Sequence, residues 1–147
     1  MKTLVLYFSA TGITKKVAED FAKENNFEIL EIIPEKIYSK ADINWVNPIS
    51  RCNKEKIGNK DVPNITKVAN WEDFDTIYLG FPIWYYGAPN IINTFCKEYD
   101  WNNKVVHAFA TSGGSPIGKT TQKLLPYLKN VKSLDAVLVK NASEIKI

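Results

Sequence analysis

The sequence predicts an α/β fold, a doubly wound sandwich on a five-stranded parallel sheet. Three observations lead there: short, nearly continuous apolar runs suited to strands covered on both faces, amphipathic segments alternating with them, and small or glycine-rich stretches just after three of the runs. Residues 3–8 form the first run, 76–80, 105–110 and 135–139 the later ones, and 27–33 a more alternating fifth. The first amphipathic stretch starts near Ile13, with Val17, Ala18, Phe21 and Ala22 on one face and Lys15, Lys16, Glu19, Asp20, Lys23 and Glu24 around the other. Residues 90–99 follow with Ile91, Ile92 and Phe95 on a stripe, and 119–128 with Leu124, Leu125 and Leu128. Residues 35–70 are too long for a bare loop, so they require a short helix, placed around 65–69, or a packed excursion. That segment reads as a crossover covering the sheet, with Tyr38 or Trp45 as a wall of the ligand site in the sharper reading.

Bulk properties narrow the classes. At 147 residues, 45% hydrophobic and 12% aromatic, the chain suits one globular domain spanning 1–147. A net charge of +3 with scattered lysines argues against nucleic acid as a partner. No stretch approaches the roughly 20 apolar residues of a membrane span. The apolar residues 4–8 fall short of the roughly 7–15 of a signal-peptide core, so a cytoplasmic location is expected. Cys52 and Cys96 fit neither a redox pair nor a zinc spacing and suit a reduced compartment. His107, inside an apolar run, is expected to be a packed core residue.

Ligands of such sheets bind at the carboxyl ends of the strands, and three loops leave those ends. Ser9-Ala10-Thr11-Gly12-Ile13-Thr14 joins the first strand to the first helix, where unpaired backbone N–H groups, the helix dipole and three hydroxyls meet. A monophosphate fits, because the loop lacks both the Gly-Lys-Ser/Thr ending of a triphosphatase and the three-glycine spacing of a dinucleotide site. Pro82-Ile83-Trp84-Tyr85-Tyr86-Gly87 sets three aromatics in a loop after the third strand, a platform for a planar ring. Trp84 is the first choice to stack, with Tyr85 and Tyr86 as rivals. Thr111-Ser112-Gly113-Gly114-Ser115, continuing to Gly118, lets backbone approach a ligand edge closely. Phosphate grip, stacking platform and glycine-rich rim together describe FMN, with the eighteen residues of these loops that remain when Pro116 and Ile117 are left out as its expected contacts.

On these three loops, and on Ala41-Asp42-Ile43-Asn44-Trp45 and Ser50-Arg51, the chain resembles the flavodoxin family, more closely its short flavodoxin-like branch. The resemblance covers most of the chain. It implies strand order 2-1-3-4-5, bound FMN, and electron transfer or flavin-dependent reduction of a small acceptor, with donor and acceptor open. It also implies a full C-terminal helix, whereas residues 141–147 stop just after a plausible N-cap at Ser143. An apolar strip over the first, third and fifth strands is therefore expected, buried by a homodimer partner or by rearrangement. The family's carriers are typically acidic; this chain is slightly basic, which favours a reductase over a dedicated low-potential carrier.

Two rival classes remain. Gly113-Gly114-Ser115-Pro116-Ile117-Gly118-Lys119-Thr120 matches a P-loop nucleotide hydrolase pattern, although no later apolar strand ends in an Asp for magnesium. A flavin-free protein-binding module would turn the aromatic loop toward a partner instead.

Overall fold

The structure, a computed structural model, describes residues 2–44, 46–47, 49–58, 60–85, 87–114 and 116–146. Five parallel strands form one sheet in the order β2-β1-β3-β4-β5: β1 (Lys2–Tyr7), β2 (Glu28–Glu31), β3 (Phe74–Pro82), β4 (Val105–Thr111) and β5 (Ser133–Leu138). Helices α1 (Ile13–Asn25), α2 (Arg51–Ile57), α3 (Asn90–Lys97) and α4 (Thr120–Leu124) connect them. No helix among the described residues is long and apolar enough to cross a membrane.

The strands alternate between two apolar faces, as a two-residue side-chain period requires. Leu4, Leu6, Phe8, Ile77, Leu79, Phe81, Val106, Ala108 and Ala110 bury one face with Ile91, Ile92 and Phe95 of α3. Val5, Tyr7, Tyr78 and Phe109 bury the other against Val17, Ala18, Phe21 and Ala22 of α1. Gly80 and Phe109 are register partners on β3 and β4. A methyl at Gly80 would stand 2.3 Å from the Phe109 ring, so the glycine makes room for that ring.

Local chemistry sets where the helices stop, and it shortens two of those expected. Asn26 ends α1 in the left-handed region (φ 56°), its N–H reaching back to the Ala22 and Lys23 carbonyls. Helix α3 ends at Lys97 rather than 99, because the Glu98 and Tyr99 amides close on the Phe95 and Cys96 carbonyls three residues back. Helix α4 stops at Leu124 and becomes a 3₁₀ turn, Leu125–Tyr127, because Pro126 has no N–H to continue the ladder.

The helix expected at 65–69 is not there; the helix of the long segment is α2. Residues 64–66 run extended beside the edge of the sheet instead. Ile65 N–H bonds the Ile33 carbonyl at 2.9 Å. Thr66 Oγ1 accepts the Ile33 N–H and donates to the Glu31 carbonyl, both at 2.8 Å. The polar backbone beyond β2 thus recruits this stretch, and a helix would leave those groups unpaired.

The carboxyl-terminal tail covers much of the strip expected to be bare. Asn141, not Ser143, caps a three-residue 3₁₀ turn, Ala142–Glu144; its Oδ1 accepts the Ser143 N–H at 3.0 Å, and Glu144 closes a capping box. Val139, Ala142 and Ile145 are buried on the α1 face, and Tyr78 Oη donates to the Lys146 carbonyl at 3.2 Å. Toward β5 the same face turns polar. His107 is half-buried rather than a core residue, its Nδ1 2.9 Å from the Asp135 carboxylate, and Val137 remains 38% exposed. Cys52 and Cys96 are free, buried thiols.

Two outcomes follow from this packing. Gly80→Ala should cost about 1–3 kcal/mol through overpacking, read as a lower urea midpoint with unchanged slope, and Phe109→Leu in the same chain should recover part of it. Burial chiefly, with Glu31 and Glu19 adding, pushes the Tyr7 hydroxyl up to about 12 from 10.0. The folded state then holds this proton more tightly than the unfolded one. That contribution to stability is complete below about pH 10 and is lost as pH rises toward 12, so alkaline melts should show a falling Tm that Tyr7→Phe makes shallower.

Candidate functional site at the carboxyl edge of the sheet

Beyond β1, the Phe8 N–H bonds the Gly80 carbonyl at 3.0 Å, and the chain then turns through Ser9 to Gly12. Ser9 Oγ accepts the Gly12 N–H at 3.0 Å. Gly12 sits at φ 94° with open space where a side chain would be. It begins α1 without a side-chain cap and with no acid in the first turn. Ile13, Thr14 and Lys15 are the first three positions of that helix, so their N–H groups have no intrahelical carbonyl to bond. The result is a concentration of donors at the positive end of a 13-residue helix dipole. Thr11 and Ile13 are exposed, and Ala10 is half-buried against the core.

Thr14 is placed differently from the other hydroxyls. It is buried, and its Oγ1 lies 2.7 Å from Thr111 Oγ1 at the end of β4. One of the pair donates to the other, so this hydroxyl's first role is to tie the first loop to the third.

After β3, the Ile83 N–H bonds the Thr111 carbonyl at 2.8 Å. Trp84 and Gly87 then exchange backbone hydrogen bonds of 2.9 and 3.2 Å, closing a tight hairpin with Tyr85 at φ 55°. Trp84 is half-buried, edge-on to Phe8 (5.7 Å between centroids, 90°) and to Tyr38 (5.3 Å, 76°). Tyr85 is not set out as a stacking face. Its hydroxyl turns to α2, bonding Asn53 Oδ1 and lying 3.4 Å from Cys52 Sγ. Tyr86, Ser115 and Trp45 lie outside the described residues.

The third loop is open. Ser112 Oγ accepts the Gly114 N–H at 3.1 Å, and a side chain at Gly113 or Gly114 would meet nothing within 4 Å. Gly114 and Gly118 both have positive φ, 151° and 56°. The P-loop pattern in this stretch lacks the geometry for its chemistry: Thr120 is fully buried with its hydroxyl on the Ile117 carbonyl, and α4 is only five residues long.

One cluster escaped the sequence reading. The Arg51 guanidinium lies 3.7 Å from the centre of the Tyr38 ring, its Nε donates to Glu55 at 2.8 Å, and its Nη1 donates to the Lys36 carbonyl at 2.7 Å. Tyr38 donates to the other Glu55 oxygen at 2.5 Å, and burial chiefly, then Glu55, holds its hydroxyl well above the usual phenol range. These bonds fix Tyr38 against Trp84, the wall position weighed for it in the sequence. The available signal was the i,i+4 pairing of Arg51 with Glu55.

The three loops therefore meet, through Thr14 and Thr111, Ile83 and Thr111, and Phe8 and Trp84. They frame an open rim rather than a chamber. The recess under Trp84 and Tyr85, lined also by Cys52, Glu55, Lys56, Pro89 and Asn90, measures about 10 Å³, room for one water at most. A phosphate-bearing ligand with a flat ring fits this edge in three respects: donors gathered at one end, an aromatic side chain in the next loop, and glycine backbone clear of side chains in the third.

A doubly wound sheet in this strand order, with its site at the carboxyl edge, defines the flavodoxin-like class. The sequence profile of the flavodoxin family matches residues 2–146, and the chain belongs to that family. It is similar to the crystal structure of a protein from Bacteroides uniformis whose flavoprotein assignment is provisional: 37% identity, 99% of this chain, 95% of that one, TM-score 0.86. A protein of the same provisional description from Bacteroides eggerthii gives 36% identity, 98% and 92% coverage and a TM-score of 0.85. A flavoprotein of Lactobacillus acidophilus, crystallised in complex with FMN, shares the fold at 24% identity, 95% and 93% coverage and a TM-score of 0.72. No curated protein matches significantly.

Thr14→Val should cost about 1–2 kcal/mol by leaving the buried Thr111 hydroxyl without its partner. Adding Thr111→Val should cost less than the sum of the single changes, measured as a double-mutant cycle in urea.

Proposed function

We propose that the chain binds FMN across this rim and works as a redox flavoprotein, passing electrons or reducing a small acceptor. The observation that carries the reading is the meeting, at Thr111, of the donor-rich loop before α1, the Trp84 hairpin and the open glycine loop. In it, the amides of residues 10, 11 and 13–15 with the Ser9 and Thr11 hydroxyls bind the phosphate, as a helix N-terminus favours an anion. Thr14 holds that loop to β4 and so positions it. Trp84, fixed edgewise by Phe8 and Tyr38, lies against the ring and shields it from water. Backbone of 112–114 contacts the polar ring edge, with Pro82, Ile83, Gly87 and Gly118 shaping the two loops and Ser115, Tyr85 and Tyr86 completing the set read from the sequence.

When bound, FMN supplies the reversible uptake of electrons; no side chain need act as acid or base. The protein's part is positional and electrostatic. A peptide group facing the ring shifts its one-electron potential by about 59 mV for each 1.4 kcal/mol by which it prefers one redox state. The two reduced thiols suit a cytoplasmic setting.

Titration of the purified chain with FMN, followed by quenching of flavin and tryptophan fluorescence, tests the assignment. Ser9→Ala with Thr11→Ala should weaken FMN about 10- to 100-fold, about 1.4–2.8 kcal/mol, through lost hydrogen bonds to a charged group. Riboflavin, which has no phosphate, should bind both proteins equally and more weakly than FMN binds the parent. Equal FMN affinity for the two proteins would remove the phosphate from this loop.

A further inference from the structure

The elements flanking the Trp84–Gly87 hairpin carry cations and very few anions. No acidic residue occurs between Asp42 and Glu55, between Asp75 and Glu98, or between Asp100 and Asp135. Those intervals contain most of the chain around the hairpin: the start of α2, the hairpin itself, the glycine loop and α4. Glu55, the acid nearest the hairpin in α2, is already held by Arg51 and Tyr38.

Two lysines close on the hairpin from different elements. Lys123 of α4 places Nζ 3.4 Å from the Tyr85 carbonyl, and its stem passes 3.2 Å from where a side chain on Gly87 would begin. Lys56 of α2 lines the recess beneath Trp84 and Tyr85. Its ammonium is held below the ordinary lysine range, by burial first and by Lys123 second. Two cations from different helices thus border one hairpin, Lys123 at the Tyr85 carbonyl and Lys56 at the recess beneath Trp84 and Tyr85, a placement that favours carboxylates approaching from outside. Lys54 on α2 and Lys119, next to the start of α4, are exposed as well, and Ile57 at the end of α2 is 82% exposed, adding apolar area.

We propose that this rim, centred on Lys56 and Lys123, is the docking surface for a protein partner presenting an acidic face, such as an acidic redox protein. A protein suits the surface better than a small anion. The cations come from separate elements, and the recess that Lys56 lines beneath Trp84 and Tyr85 admits one water at most and does not include Lys123, so the two lysines do not share a closed pocket for a single phosphate. The redox part of the inference rests on the hairpin lying beside bound FMN, as argued above; the docking part rests on charge placement alone.

A plant-type [2Fe–2S] ferredoxin, strongly acidic, is the probe, and cytochrome c, strongly basic, is the counter-probe. Binding to the full chain is measured with and without added FMN, from about 10 to about 150 mM salt, where the screening length falls from about 30 to about 8 Å. Carbodiimide cross-linking, which joins a carboxylate to a lysine amine with loss of water, then maps the contact by peptide mass. Ferredoxin should bind about tenfold more weakly at the higher salt, with cross-links on Lys56, Lys119 and Lys123. Lys56→Gln with Lys123→Gln should weaken low-salt binding about tenfold and flatten the salt dependence, while Lys23→Gln with Lys132→Gln, at the opposite end of the sheet, changes it less than about twofold. Tighter binding of cytochrome c, cross-links centred on Lys15, Lys16 or Lys97, or equal losses in both double variants would overturn the proposal. So would loss of NADPH binding in the Lys56 and Lys123 variant with ferredoxin binding unchanged. Ferredoxin docking at these lysines without any FMN binding would retain the surface and remove the flavin; FMN binding with no docking would do the reverse.

Discussion

The candidate site depends on the flush register of β1, β3 and β4, and Thr111 is where that register is converted into a site. Tyr7 pairs with Gly80, Gly80 with Phe109, and Pro82 with Thr111. The strands therefore release their loops at one edge. Thr111 then bonds both neighbours, through its hydroxyl to Thr14 and through its carbonyl to Ile83. A slip of one residue would send every side chain of a strand to the opposite face and separate the loops. Register here is secured by burial on both faces, since each wrong pairing would expose an apolar row such as Leu4, Leu6 and Phe8 to the wrong helices.

The two faces support the edge in different ways. On the α3 side, large apolar side chains fill the layer up to Phe8, Trp84 and Tyr38, so the core runs directly into the aromatic wall of the site. On the α1 side, Gly80 admits Phe109, and a tail of only a few residues covers Tyr78. A capped turn and the buried side chains of Val139, Ala142 and Ile145 pack on this face, while the His107 and Asp135 pair adds polar groups toward β5. Lys56 and Lys123 border the hairpin at this same edge.

The strands and α1 were legible because their burial follows a period of two or of 3.6 residues, which is local information. The three loops were legible because glycine, hydroxyl and aromatic residues cluster at strand ends. Residues 35–70 resisted for a physical reason. Their conformation comes from bonds between distant positions: Arg51 to the Lys36 carbonyl, Tyr38 to Glu55, and Thr66 to Glu31 and Ile33. A local reading placed a helix at 65–69, where the edge of β2 instead draws the chain out straight. The early stop of α4, by contrast, was written in the sequence as Pro126.

By itself the sequence determined the fold class, the strand set, the family resemblance and the three loops at one end of the sheet, because each of these follows from patterns within a few residues of one another. Only the tertiary structure decided what individual side chains in those loops do. Thr14 faces Thr111, Tyr85 turns to α2, and Trp84 stands edgewise between Phe8 and Tyr38. Such orientations depend on which distant group lies within hydrogen-bond or ring-contact distance, and no local pattern encodes that distance.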